Sequence, residues 1–146
     1  DLFVYNTLIK TNTETEVTSG FLGSENSTNA KVKAIQRQNI DNITFVDNIP
    51  STVFDKSAQA YVNTTAWDVS AQQDKSILAW YETNTNGFHK VYIGSDYEIF
   101  GNYDSTDLFA YVGYSANCTS GETITNIGLL NVGSVTNMKG MFRFTG

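Results

Sequence analysis

One cysteine, one histidine and one proline among 146 residues close off several kinds of chemistry at once. A lone Cys118 excludes an intramolecular disulfide and a cysteine-rich zinc site. It is either a half-buried small residue or a thiol that pairs with another chain. His89 lies between Phe88 and Lys90 with no second histidine in the chain. Structural zinc needs four ligands, and a hydrolytic triad needs a nucleophile and an orienting group. A solvent-facing or cross-strand role is therefore expected for His89. Cations are also scarce, with nine Lys and Arg against fifteen Asp and Glu and a net charge of −6. Without a basic run, the electrostatic footprint for nucleic acid or an anionic membrane is missing. No stretch approaches the roughly 18 consecutive apolar residues of a membrane span, and no signal peptide opens the chain. Asp1 in place of Met raises the expectation that a segment precedes this sequence.

What is present is a polar-uncharged chain, rich in Asn, Thr, Ser, Gly and Tyr, with enough apolar residues for one domain with a core. DLFVYNTLI (1–9) reads as a strand, and the Thr/Glu/Gly/Ser/Asn stretch over 10–29 reads as a linker. NAKVKAIQRQNI (29–40) places Val32, Ile35 and Gln36 at helical spacing behind Asn29, a candidate N-cap, and predicts a short helix. ITFVD (43–47) alternates like a strand, closed by Pro50. In SILAWYETNTNGFHKVYIGSD (76–96) two alternating runs flank Asn86-Gly87, which predicts a β-hairpin with Trp80 or Tyr81 buried. YEIF (97–100) predicts a short strand, DSTDLFAYV (104–112) a capped helical turn, TITNIGLL (123–130) a strand and SVTNMKGMF (134–142) another turn. The fold class is mainly β with short helices.

No catalytic, cofactor-binding or metal-ligating residue is assigned. Asp96, Glu98, Asp104 and Asp107 share one short span, but their spacing differs from a twelve-residue calcium loop, and Asp104 and Asp107 suit helix capping. Phosphate-loop, dinucleotide, zinc-protease and nucleophile-elbow motifs are all missing. The aromatics from Trp67 to Tyr114 suit a β core and cross-strand pairs better than a stacking platform. Four Asn-x-Ser/Thr triplets, at Asn26, Asn42, Asn63 and Asn117, arise from composition. The chain is expected to be non-enzymatic and without cofactors.

The ending carries the most specific signal. VTNMKGMF (135–142) resembles the characteristic segment of BspA-like leucine-rich repeat surface proteins, whose repeats of about two dozen residues carry a DVSxVTNMxxMF core. AWDVSAQQDKSILAWY (66–81), VYIGSDYEIFGN (91–102), STDLFAYV (105–112) and ITFVDNIP (43–50) resemble, in the same order, landmarks of the segment that precedes the first repeat there. Asn131 and Gly133 stand where the family has aspartate and serine, and residues 115–122 look like an insertion. The resemblance covers roughly residues 40–146 and implies a hairpin-rich capping domain over 30–120 and a first repeat coil over 121–146, with the chain continuing beyond it; residues 1–29, a strand and polar linker and a candidate assembly arm, match nothing in that family.

It further implies a non-catalytic, surface-displayed bacterial adhesion protein that binds host or neighbouring-cell proteins or glycans. The alternative is a structural subunit of an extracellular filament or phage virion, assembling through residues 1–29 and an open repeat edge. A strand over 1–9 that folds back on its own domain favours the adhesin, and one that pairs with a neighbouring chain favours the assembly subunit. Ile127, Leu129, Met138, Met141 and Phe142 are expected to converge against 105–112. On that expectation Met138→Asp costs about 3 kcal/mol.

Overall fold

Strand β1, Ile40–Val46, has hydrogen-bonded neighbours on both sides and apolar side chains beneath it, and its position explains the architecture. The computed structural model describes residues 6–10, 30–110, 112–113 and 123–142. Residues 1–5, the stretch 11–29, Tyr111, Tyr114, the expected insertion at 115–122 with Cys118, and Phe144 lie outside the described residues. A short helix α1, Ala30–Ala34, and a 3-10 turn, Arg37–Asn39, precede β1. Val32 and Ile35, one turn apart, are both buried, so the apolar spacing is used as read, but the helix stops five residues before the strand begins.

After β1 come two short strands, β2 (Phe54–Asp55) and β3 (Ala60–Tyr61), which pair antiparallel by themselves. Strand β4 (Trp67–Asp68) then leads into the hairpin of β5 (Leu78–Thr83) and β6 (His89–Gly94). The main sheet runs β4-β5-β6-β1-β8, where β8 is Ile124–Thr125, with β6 and β8 both parallel to β1. Parallel strands survive where both faces are covered. On one face Ile43 and Phe45 join Val91, Ile93, Ala79 and Ile77 in the main core. On the other, Leu78 and Trp80 pack under Ile49, Val53, Phe54 and Ala66.

The hairpin has the predicted strands, with Trp80 opposite Tyr92 and the two rings stacked at 5.7 Å. Its turn is longer than an Asn-Gly pair requires. Residues 84–88 form it, Gly87 takes φ +84°, and the Asn84 side chain accepts hydrogen bonds from the N–H groups of Asn86 and Phe88. Asn84 organises the turn, and glycine supplies the left-handed residue.

The remaining strands are β7 (Ile99–Phe100) and β9 (Leu130–Asn131), which pair parallel. Residues 6–9 lie on the other side of β7. The Leu8 N–H donates to Phe100 O and the Ile9 N–H to Val69 O, while Phe100 and Ala71 donate to Asn6 O and Thr7 O. Residues 69–71, 6–9, β7 and β9 thus follow one another edge to edge, and Leu8 is wholly buried in the main core. The chain is mainly β in mixed sheets, with no closed barrel and no helix beyond five residues among the described residues.

Three local expectations are corrected. The strand expected over 123–130 is broken after β8 by Asn126, at φ 61°, and a 3-10 turn, Ile127–Leu129, before β9 begins. Over 104–110, the described part of the helical turn expected at 104–112, the chain instead makes successive tight turns, because Asp107 takes φ 56° and breaks the helical path. Asp104 does cap its turn, accepting from the N–H and hydroxyl of Thr106. Nor do the five C-terminal apolar residues converge: Met141 is 2% exposed in the core, whereas Met138 is 48% exposed and Ile127 and Leu129 form an outward 3-10 turn. The stability cost therefore shifts by three residues. Met141→Ala should cost about 2–5 kcal/mol in urea unfolding, while Met138→Asp should stay within about 0.5 kcal/mol of the parent.

Candidate functional site

Two features of the surface are built rather than incidental, and the first is a pair of stacked coils. Gly101, Ser105, Asp107 and Phe109 donate their N–H groups to the carbonyls of Asn131, Asn137, Lys139 and Met141, at 2.8 to 2.9 Å. Residues 99–109 therefore lie along residues 130–142 in parallel register. The turns at the end of the two coils match at a constant spacing of 33. Asp104 and Asn137 each accept from the N–H two residues on, and Leu108 and Met141 each donate to the carbonyl three residues back. Asp107 and Gly140 each take a left-handed backbone, at φ 56° and 65°. Leu108 and Met141 point into the core, and Phe109 and Phe142 stack at 5.7 Å with rings 16° apart. Gly101 permits the close approach, since a Cβ there would lie 2.7 Å from Val135 Cγ2.

The two sides of this pair differ. Residues 6–9 cover β7 on the inner side, and Arg37 braces the first coil by donating to the carbonyls of Asp107 (2.8 Å) and Ala110 (3.1 Å). Burial lowers the Arg37 guanidinium to about 10, against the opposing pull of Asp107. Along the outer coil and the turn leading into it, Ile127, Leu129, Val132, Met138 and Phe142 are all more than a third exposed. Five large apolar side chains on one short segment form an edge of the kind that marks contact surfaces.

The second feature is an open cleft of about 510 Å³ on the outer face of the main sheet, where β1, β5, β6 and β8 bring together Asp41, Asn42, Thr44, Glu82, Lys90 and Thr125. Its polar groups are held by one another. Asn42 Nδ2 donates to Thr125 Oγ1 (2.9 Å), Thr44 Oγ1 donates to Asn42 Oδ1 (2.5 Å) and Asn84 Nδ2 donates to Asp41 Oδ2 (3.1 Å). Tyr92 donates its hydroxyl to Glu82 Oε1 (2.8 Å), and Lys90 Nζ lies 5.1 Å from the Tyr92 ring centre. The cleft is a preorganised polar surface, able to hydrogen-bond a ligand that offers both donors and acceptors.

The residues singled out in sequence are dispersed over other tasks. His89 sits in β6 with Nδ1 2.9 Å from Thr83 Oγ1 and its ring edge-on to Tyr81; burial lowers its pKa while Asp41 pulls the other way. Asp96 accepts from the Ile49 N–H and pairs with Lys56 at 2.6 Å; burial raises its carboxyl, but these two partners outweigh that and leave it lowered. Glu98 accepts from Asn131, and hydrogen bonds from Thr106 hold the Asp104 carboxyl below its usual range. Among the described residues no three His, Cys, Asp or Glu side chains come together as a metal site would need. Asn42 is 6% exposed and engaged by Thr44 and Thr125, so it is not presented for glycosylation in the folded chain. No helix among the described residues is long and apolar enough to cross a membrane.

The open repeat edge was expected from the sequence, but the cleft and the matching of the two coils were not. The cleft residues come from four strands and look like ordinary strand polars until the register aligns them. The matched turns share only the final phenylalanine of STDLF (105–109) and MKGMF (138–142). Comparison with protein-family models, curated proteins and solved structures found no match to this chain.

Two outcomes follow from this geometry. Gly101→Ala should push the coils apart, lowering stability in thermal unfolding by more than Gly128→Ala, where a Cβ meets open space. Asp74, Asp96 and Asp104 have lowered carboxyls in the folded chain, so their contribution is present above the ordinary carboxylate range and is lost as pH falls below about 4. Denaturant midpoints measured across that range should fall with pH, and less steeply in Asp104→Asn.

Proposed function

We propose that this chain is a non-catalytic, surface-displayed binding module of the BspA-like type, in which a hairpin-rich capping domain leads into stacked coils and the outer coil edge makes the contact. The observation that carries this reading is the asymmetric pair of coils. The inner coil is closed by residues 6–9 and the outer one presents Ile127, Leu129, Val132, Met138 and Phe142. A coil bonded to its predecessor through backbone groups leaves a similar set of groups on its far side, and that edge receives a further coil or a partner chain.

The placement of residues 6–9 supports a binding module over an obligate assembly subunit. They pair within their own chain, to residues 69–71 and 99–100, and bury Leu8 there. The cleft over β1 and β6 supplies a second polar surface, and its mixture of carboxylate, amide, hydroxyl and ammonium groups suits glycans better than nucleic acid. Extracellular display, with protein or glycan partners, belongs to this reading.

The test is association through the outer edge. In sedimentation velocity the 146-residue chain should self-associate with rising concentration, and Val132→Lys together with Met138→Lys should abolish this while leaving the unfolding midpoint nearly unchanged. A chain that stays monomeric at every concentration, with or without the two lysines, would contradict the reading.

A further inference from the structure

We infer that residues 6–9 are an exchangeable β-segment, so that the groove between residues 69–71 and 99–102 accepts the same segment from a second copy of the chain. The groove has a well-defined occupant. It offers the Val69 and Phe100 carbonyls to the N–H groups of Ile9 and Leu8, and the Ala71 and Phe100 N–H groups to the carbonyls of Thr7 and Asn6. Side chains add selectivity: Asn6 Nδ2 donates to Ser95 Oγ (2.8 Å) and Glu98 O (3.0 Å), and buried Asn102 donates to Leu8 O (3.3 Å). Leu8, wholly buried, fills the floor. An occupant must be an extended strand carrying asparagine two residues before a large aliphatic side chain, which the sequence Asn6-Thr7-Leu8 supplies.

The tether allows it to be supplied from outside. Residues 10–29 separate the segment from α1, and thirteen of these twenty are Thr, Ser, Gly or Asn. A twenty-residue tether spans up to about 70 Å when extended, against a radius of gyration near 15 Å for a domain of this length. A segment leaving its own groove can therefore reach that of a neighbour. The bonds made in the exchanged form are those of the closed form, so the balance is set by concentration and by the tether, as in domain swapping. This goes beyond the binding-module reading, whose outer-edge contact lies on the opposite side of the coil pair; exchange would withdraw residues 6–9 as support for a binding module over an assembly subunit and would leave the outer-edge contact to its own test.

The experiment uses two full chains, each singly substituted, in a Cys118→Ser background that also carries Val132→Lys and Met138→Lys to suppress edge association. One chain carries Thr7→Cys and the other Phe100→Cys, at positions that pair across the parallel bridge. The geometry for a disulfide between them is held in place when the segment of the first chain lies in the groove of the second, so it forms there in excess of random collision. After co-refolding and mild oxidation, the mixed covalent dimer should appear, and its fraction should rise about tenfold for a tenfold rise in concentration while it remains minor. Thr85→Cys, in the exposed hairpin turn, replaces Thr7→Cys as the collision control and should give at least tenfold less. Leu8→Asp added to the Thr7→Cys chain should remove the dimer, because the buried floor rejects a carboxylate. Equal yields from the Thr7→Cys and Thr85→Cys chains, or no mixed dimer at any concentration, would overturn the inference.

Discussion

Four backbone hydrogen bonds, from the amides of residues 101, 105, 107 and 109 to the carbonyls of 131, 137, 139 and 141, hold the second half of the architecture together. They align two stretches of quite different sequence, bring Leu108 and Met141 into one core and set Phe142 against Phe109. Because each coil bonds only to its neighbours, the pair has an inner and an outer side. The inner side is closed by residues 6–9, whose amides and carbonyls bond on both edges. The outer side is not matched among the described residues by any comparable strand, and five of its exposed side chains, Ile127, Leu129, Val132, Met138 and Phe142, are large and apolar. The proposed contact surface rests on this polarity of the stack.

The coils depend in turn on β1. Its neighbours β6 and β8 lead respectively into the first and second coil, so the register of β1 against Val91–Gly94 and Ile124–Thr125 fixes where each coil starts. Ile43 and Phe45 support the coils from below, with Phe45 edge-on to Phe109 at 6.3 Å. On the opposite face, Gly94 lets Asn48, Val46 and Trp80 close over the sheet; a Cβ there would stand 2.6 to 2.9 Å from each of them. One half of that face is thus sealed by the residue 49–66 lobe and the other half is left as the polar cleft.

Legibility in the sequence followed how local each feature is. The hairpin was readable because alternation and an Asn-Gly pair are local signals, although its turn is governed by Asn84. The strands read over 43–47 and 97–100 were found for the same reason, with bounds that the structure moves to 40–46 and 99–100. The tight turns at 104–110 were not, because a capping pattern followed by apolar residues also fits a helix, and only the left-handed Asp107 decides against it. The repeat between the coils was hidden because Asp107 and Gly140 reach the same backbone region from different chemistry, and hydrogen bonds between main-chain groups leave no mark on side-chain sequence. The apolar cluster at the end was visible in outline, but five residues were read as converging where only Met141 is buried. The cleft was invisible because its parts are up to 84 positions apart, Asp41 to Thr125.

Hydrogen exchange of individual amides tests the coil pair most directly. The account predicts that the Gly101, Ser105, Asp107 and Phe109 amides exchange slowly, within about tenfold of the β1 and β6 amides of the same core, because they open only when the coils separate. Exchange of these four amides at the rate of the exposed turn at residues 84–87, while β1 and β6 stay protected, would contradict it.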